Sequence, residues 1–312
     1  MKKLLLACFA LTLVLCLLPT TAEAATEGNF TYEISDGKAT ITNYNGSGGD
    51  VAIPSTLGGC PVTSIGDDAF SGCTGLTAVT IPDSVTTIGI CAFHSCTGLT
   101  GVYITDLAAW CAIDFSELYS NPLFYAKNLY LDGSLVTELT IPDSVTTIDR
   151  YAFYGCTGLT SVTIPDSVTT IDWYAFSGCT GLTAVTIGDS VTTIGDRAFY
   201  GCTALEEITI PVSMFSIADN AFKDVPLKTV HYGGTKEQWE KIDLNNNVCF
   251  AAAEVKTTEK PADPAPDNTA EPAPTEPANC SHTGYLVAII ALSVALAGSI
   301  TLNLLQHKKK KA

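Results

Sequence analysis

Apolar and polar positions in the middle of this chain follow one schedule that returns every 23 residues. Residues 75–97 read GLTAVTIPDSVTTIGICAFHSCT, residues 158–180 read GLTSVTIPDSVTTIDWYAFSGCT, and residues 181–203 read GLTAVTIGDSVTTIGDRAFYGCT. Residues 135–157 and 204–226 fit the same template, and residues 57–74 carry its second half. In each unit L-x-x-V-x-I alternates, which predicts a short strand with Leu76, Val79, Ile81 and their counterparts pointing inward. Pro-Asp-Ser predicts a turn, because proline presets φ and Asp and Ser bond to nearby backbone. V-T-T-I predicts a second short strand, and A-F-x-x-C a helical turn that closes the coil. No such unit can bury its apolar face alone, so the coils must stack into a solenoid. Two interior ladders follow. One is Phe70, Phe93, Phe153, Phe176, Phe199 and Phe222; the other is Ile65, Ile88, Ile148, Ile171, Ile194 and Ile217.

The pattern changes at three places. Residues 25–56 lack the repeat but alternate around Asp36-Gly37 (Phe30, Tyr32, Ile34, then Ala39, Ile41), which predicts a β-hairpin cap on the open end of the core. Within the array of residues 57–226, residues 98–134 form an irregular insertion. It starts as a normal strand (Leu99, Val102, Ile104), departs through a predicted helix over residues 106–113, and returns by a hairpin at residues 130–135. Residues 227–250 repeat that departure, with a helix expected over residues 235–242, and read as a C-terminal cap. Trp110 and Ile113 match Trp239 and Ile242 at equal spacing, which on a helix makes one apolar face. The expectation is one helix-cap module used twice; chance recurrence of a common W-x-x-[ILV] pattern is the alternative.

Both ends depart from globular composition. Residues 1–24 read as a secretory signal: Lys2 and Lys3, an apolar core, then Ala22-Glu23-Ala24. Residues 251–283, rich in Pro, Ala and Glu, read as an extended linker. Residues 284–306 are apolar enough to span a bilayer as a single helix, and the basic residues 307–312 place the C-terminus in the cytoplasm. The expected location is therefore the cell membrane, with residues 25–283 outside. Cleavage at Thr283-Gly284 by a divergent sortase, leaving the chain on the cell wall, is the alternative.

The core I-P-D-S-V-T-T-I-G…A-F…C-T-x-L, with the insert Y-I-T-D-L-A-A-W, resembles the BspA-like leucine-rich repeats, the 23-residue bacterial class. The resemblance covers about residues 30–247. It implies a right-handed leucine-rich-repeat solenoid, a β-rich α/β fold of short strands and short helical turns, with the C-terminal transmembrane helix as a separate element. It also implies a surface facing the host or the environment, since some members are adhesins for matrix or plasma proteins or for neighbouring cells. The family offers no catalytic or binding motif to carry over residue by residue.

Charge and chemistry narrow the function further. A net charge of −16 with no basic patch argues against nucleic acid. Hydrolase, P-loop and zinc signatures are missing, and His94, His231 and His282 are scattered, so no enzyme, cofactor or metal is expected. Asp83, Asp143, Asp166 and Asp189 recur at one turn, but each coil brings too few oxygens for calcium, and a turn role is preferred. Of 12 cysteines, two leave with the signal. Cys73, Cys96, Cys156, Cys179 and Cys202 share one repeat position; reduced, packed thiols are expected there in preference to disulfides.

The outward strand positions in the middle coils are mostly Thr, Ser and Ala. That is a flat face without the Tyr, Trp or Arg that carry most contact energy. An ice-binding array is a remote alternative. The expected partner is an extracellular or cell-surface protein, or a glycan, bound near Tyr103, Tyr119, Phe124 and Tyr125 and near Glu206, Glu207, Lys228 and His231. The expected role is adhesion, with capture or scaffolding of other surface molecules as the second reading.

Overall fold

A computed structural model describes residues 24–258. The expected signal segment, most of the linker, the membrane helix, the basic tail and the Thr283-Gly284 site lie outside the described residues. Among the described residues no helix is long and apolar enough to cross a membrane. They fold as a leucine-rich-repeat-like β-solenoid of about ten turns, mostly sheet.

Each regular coil has three sides. The first strand, such as Ser161–Ile164, pairs in parallel with Ala184–Ile187 of the next coil, Val162 opposite Val185 and Ile164 opposite Ile187. The second side is a two-residue strand, and here Ile148, Ile171, Ile194 and Ile217 stand in register. Every one of these isoleucines is fully buried.

The third side corrects the expected helical turn. A-F-x-x-C forms consecutive i→i+3 turns, as in Cys179 N–H to Phe176 C=O, 3.3 Å. Left-handed residues bracket it. Tyr151, Tyr174 and Arg197, with φ 64°, 57° and 54°, precede each Ala-Phe, and Gly155, Gly178 and Gly201 follow. A non-glycine residue there costs about 1–2 kcal/mol. The strained backbone turns its N–H groups along the solenoid axis, where a helix would have kept them inside. Phe153, Phe176 and Phe199 each donate at 2.8 Å to the alanine carbonyl of the next coil. Stacking offers those carbonyls, so the turns win over the helix. The buried rings then lie face to face, Phe153 on Phe176 and Phe176 on Phe199, both at 5.3 Å.

The N-terminal hairpin forms as expected. Phe30–Ser35 and Lys38–Tyr44 pair antiparallel around Asp36-Gly37, both left-handed (φ 52° and 71°), the geometry of a tight hairpin turn. Its second strand pairs in parallel with Cys60–Ile65 and so starts the second side of the solenoid.

The insertion at residues 98–134 departs from the 23-residue period as expected. It is an enlarged coil and stays in the stack. Gly101–Ile104 occupies the first side, helix α1 (Leu107–Cys111, capped by Asp106) follows, and Asp114–Phe115 pairs in parallel with Thr87–Ile88 on the second side. A 3-10 turn (Leu118–Ser120) and helix α2 (Leu123–Ala126) lead to Leu129–Leu131, which pairs with the strand that began the coil. Phe115 takes the isoleucine slot, and its larger ring reaches Trp110 at 5.3 Å.

The hairpin to Ser134–Leu135 then ends the first-side sheet, which restarts at Glu138–Thr140. The second-side sheet stops at Asp114–Phe115 and restarts at Thr147–Ile148. Across this junction the Trp110 indole donates to Ala152 C=O at 2.9 Å, and the Asn121 amide to Tyr151 C=O at 2.8 Å.

At the far end helix α3 (Lys236–Trp239, boxed by Thr235 and Gln238) and helix α4 (Cys249–Ala252) reproduce the enlarged coil. A final strand, Glu254–Thr257, pairs with Thr229–Tyr232. That strand lies within residues 251–283, the expected linker, so the folded part runs on past residue 250.

Candidate functional site

The eight residues expected at a contact do not form one site. They lie in three places.

Tyr119, Phe124 and Tyr125 stand on the turn side, inside a longer aromatic ridge. Phe124 meets Tyr119 at 5.0 Å and Tyr125 at 4.8 Å edge-on, and stacks on Tyr154 at 5.7 Å. Tyr154 continues to Tyr151, and Tyr151 stacks on Tyr174 at 5.4 Å. Cations are interleaved with the rings. Lys127 Nζ sits 5.0 Å over Phe124 and 5.6 Å over Tyr154; Arg197 lies 5.4 Å from the Tyr174 ring, and its Nη1 donates to Tyr174 Oη at 2.7 Å. Trp173, 56% exposed, projects beside Tyr174. His94 is half-buried, edge-on to Tyr119 at 5.1 Å.

The local cause of the ridge is the left-handed turn. It presents the residues just before Ala-Phe outward, and after Phe it leaves a large side chain partly exposed; those are the template's variable slots: Arg150-Tyr151 and Tyr154, Trp173-Tyr174, Asp196-Arg197 and Tyr200, with the buried Ser177 as the small member of the series. Burial raises the pKa of Tyr151 and Tyr154 and lowers that of Lys127. Trp173, Tyr151, Tyr154, Tyr174, Lys127 and Arg197 were missed from the sequence. Variation within an otherwise constant repeat was the available signal.

Tyr103 is elsewhere, on the first-strand side, stacked on Tyr130 with centroids 4.4 Å apart. The third group, Glu206, Glu207, Lys228 and His231, also lies on that side, in the last coils. These four pair with one another: Lys228 with Glu206 at 2.7 Å, His231 with Glu207 at 3.5 Å. The pairs are largely exposed and worth at most about 1 kcal/mol each.

The cysteine ladder has a definite arrangement. Cys96, Cys179 and Cys202 each donate through Sγ to the phenylalanine carbonyl one coil back, at 3.1, 3.2 and 3.3 Å. Burial pushes the thiols of Cys96, Cys156 and Cys202 up to about 12 and that of Cys179 well above its usual range. Among the described residues all nine cysteines are free thiols. Among the same residues no group of His, Cys, Asp and Glu is placed to hold a metal ion.

A T. pallidum leucine-rich-repeat protein is 28% identical, covering 68% of this chain and 86% of that one, with a TM-score of 0.38. A leucine-rich cell surface protein of Faecalibacterium prausnitzii A2-165 is 22% identical over 74% of this chain and 100% of that one, at a TM-score of 0.36. A leucine-rich-repeat protein of Bacteroides ovatus ATCC 8483 is 22% identical over 75% and 76%, also at 0.36. No curated protein matches. Residues 50–112 and 126–249 match six copies of the BspA-type leucine-rich-repeat region, which cover most of the coils described above. The chain belongs to the BspA-type leucine-rich-repeat family.

Proposed function

We propose that this chain is a non-enzymatic surface-recognition protein whose turn-side ridge engages an extracellular or cell-surface protein, with adhesion as its role. The observation that carries this reading is the ridge itself: Tyr119, Phe124, Tyr154, Tyr151 and Tyr174 in one run of ring contacts, with Lys127 and Arg197 among the rings and the exposed Trp173 next in the chain to Tyr174. Tyr, Trp and Arg dominate binding hot spots because they offer large rigid area with a polar end. A long ridge on a stiff scaffold loses little entropy when a partner docks. Export and a C-terminal membrane helix would present it outside the cell. Intact mass of the mature chain distinguishes retention of residues 284–312 from cleavage after Thr283.

The direct test is capture by the full chain of matrix proteins and whole cells, repeated with Tyr154→Ser and Trp173→Asp. Neighbouring coils carry Ser177 and Asp196 at those slots, so both variants suit the fold. Binding should fall about tenfold or more, roughly 1.4 kcal/mol. Undiminished capture by the double variant would end this reading, and turnover of any substrate by the chain would end the non-enzymatic part of it.

A further inference from the structure

The first-strand side carries a second feature, independent of the ridge. In regular coils the last outward position of the strand is threonine: Thr80, Thr140, Thr163, Thr186 and Thr209. In the enlarged coil and the strand that closes it, the same register holds Tyr103 and Tyr130. The rings stack at 4.4 Å and 8°. They lean over Gly101, where a Cβ would come within 3.0 Å of Tyr103 Cε2 and 3.1 Å of Tyr130 Cε2, so a larger residue would push the rings by a few tenths of an ångström.

Tyr130 covers one face of Tyr103. The other side of that ring borders a cavity of about 310 Å³ lined by Asp50, Val51, Ala52, Ala78, Thr80 and Tyr103. Small side chains make its floor. Asp50 is oriented by the Thr77 hydroxyl, which donates to Oδ1 at 2.7 Å. The cavity therefore offers an aromatic wall, a flat floor, a fixed carboxylate and a threonine hydroxyl, with no cation in its lining.

We propose that this cavity is a carbohydrate subsite that takes one pyranose ring. A pyranose has an apolar C–H face and a rim of hydroxyls. The C–H face suits the electron-rich face of Tyr103. Hydroxyls at the rim suit Asp50, which accepts, and Thr80, which does both. The volume sits at the lower end of small-molecule pockets, about 300–1,000 Å³, and fits a single sugar better than a folded partner. An ammonium group is the competing chemistry for a ring beside a carboxylate. It is less suited because only one aromatic face is presented, where cation recognition favours several.

The test is saturation-transfer NMR and titration on the full chain. The probes are methyl β-glucopyranoside, methyl β-galactopyranoside, methyl α-mannopyranoside, N-acetylglucosamine and, as the cationic control, N-acetyl-lysine amide. At least one sugar should bind with Kd of about 1–10 mM. Tyr103→Thr, which restores the residue of the regular coils, should weaken it about tenfold, and Asp50→Asn about threefold. Tyr154→Ser should leave sugar binding unchanged, which separates this site from the ridge. Absence of transfer to all four sugars, equal binding by Tyr103→Thr, or preference for the lysine amide would each overturn the subsite.

Discussion

The enlarged coil in the middle and the module at the C-terminal end are built alike but finish differently. Trp110, Ile113 and Asp114 recur as Trp239, Ile242 and Asp243, and Asp243 bridges to Ser216 as Asp114 pairs with Thr87. In the middle the last phenylalanine of the first stack, Phe93, donates to a backbone carbonyl, that of Tyr119. At the end the corresponding Phe222 N–H is met by the side chain of Asn247, 3.0 Å away. The same Asn247 amide donates to Ala218 C=O at 2.7 Å and Leu244 C=O at 2.8 Å. In the middle, Trp110 and Asn121 instead reach forward into the next coil. One module thus becomes a junction when its polar groups point onward, and a terminus when a single asparagine absorbs them.

Four experiments bear on that contrast, from the largest effect to the smallest. Phe115 is fully enclosed between the two stacks, whereas Phe250 stands at the open end against Phe222 and Trp239. Phe115→Ala should cost about 3–5 kcal/mol by urea unfolding and Phe250→Ala clearly less, because the end can collapse into the space. Equal losses would mean that the junction is no better packed than the end.

Next, Asn247→Ala strands several buried backbone groups and should cost about 2–3 kcal/mol. Asn121→Ala, which loses the bonds to Tyr151 C=O and Leu123 N–H, should cost about 1–2 kcal/mol. The reverse order would assign the terminating role to other residues.

Trp110→Phe removes the indole donor to Ala152 and should cost about 1–2 kcal/mol. Trp239→Phe, which keeps ring contact with Tyr232 and Phe250, should cost less than about 1 kcal/mol. Comparable unfolding midpoints for the two variants would remove the cross-junction bond from the account.

The mildest test is chemical. Burial pushes Cys111 in the middle module up to about 12 and half-buried Cys249 at the end up to about 11. Native alkylation should therefore mark Cys249 well before Cys111. The sign also sets a pH window. These folded thiols ionise above the unfolded value of about 8.5, so their contribution is intact below that pH and fades as pH rises toward 11 and 12. Stability that stays level up to pH 11 would contradict the burial of the thiols.

Some of this could be read from the chain alone. The Asp36-Gly37 hairpin and the buried Ile and Phe ladders follow from local spacing and are present, the Phe rings as two stacks broken between Phe93 and Phe153; the Trp-x-x-Ile motifs recur, but their helices end at Cys111 and Trp239, before Ile113 and Ile242. The closing turn could not be read. A-F-x-x-C has helical spacing, and its left-handed flanks, Tyr174 and Arg197 among them, become worthwhile only when the next coil supplies carbonyls. The enlarged coil hid its register because Asp114-Phe115 does not look like V-T-T-I, although it fills the same place. Tyr119, Phe124 and Tyr125 were visible as residue types. Their neighbours Tyr154 and Tyr174 lie in other repeats, and nothing in the chain order joins them to Tyr119 while leaving Tyr103 out.

By itself, then, the sequence determined that identical coils stack, because inward Leu, Ile, Phe and Cys at a constant period have no other way to leave water. Only the tertiary structure decided which side each variable residue faces and which residue it meets there. Those outcomes depend on left-handed turns and on the size of a coil, and both are settled by hydrogen bonds to the neighbouring coil.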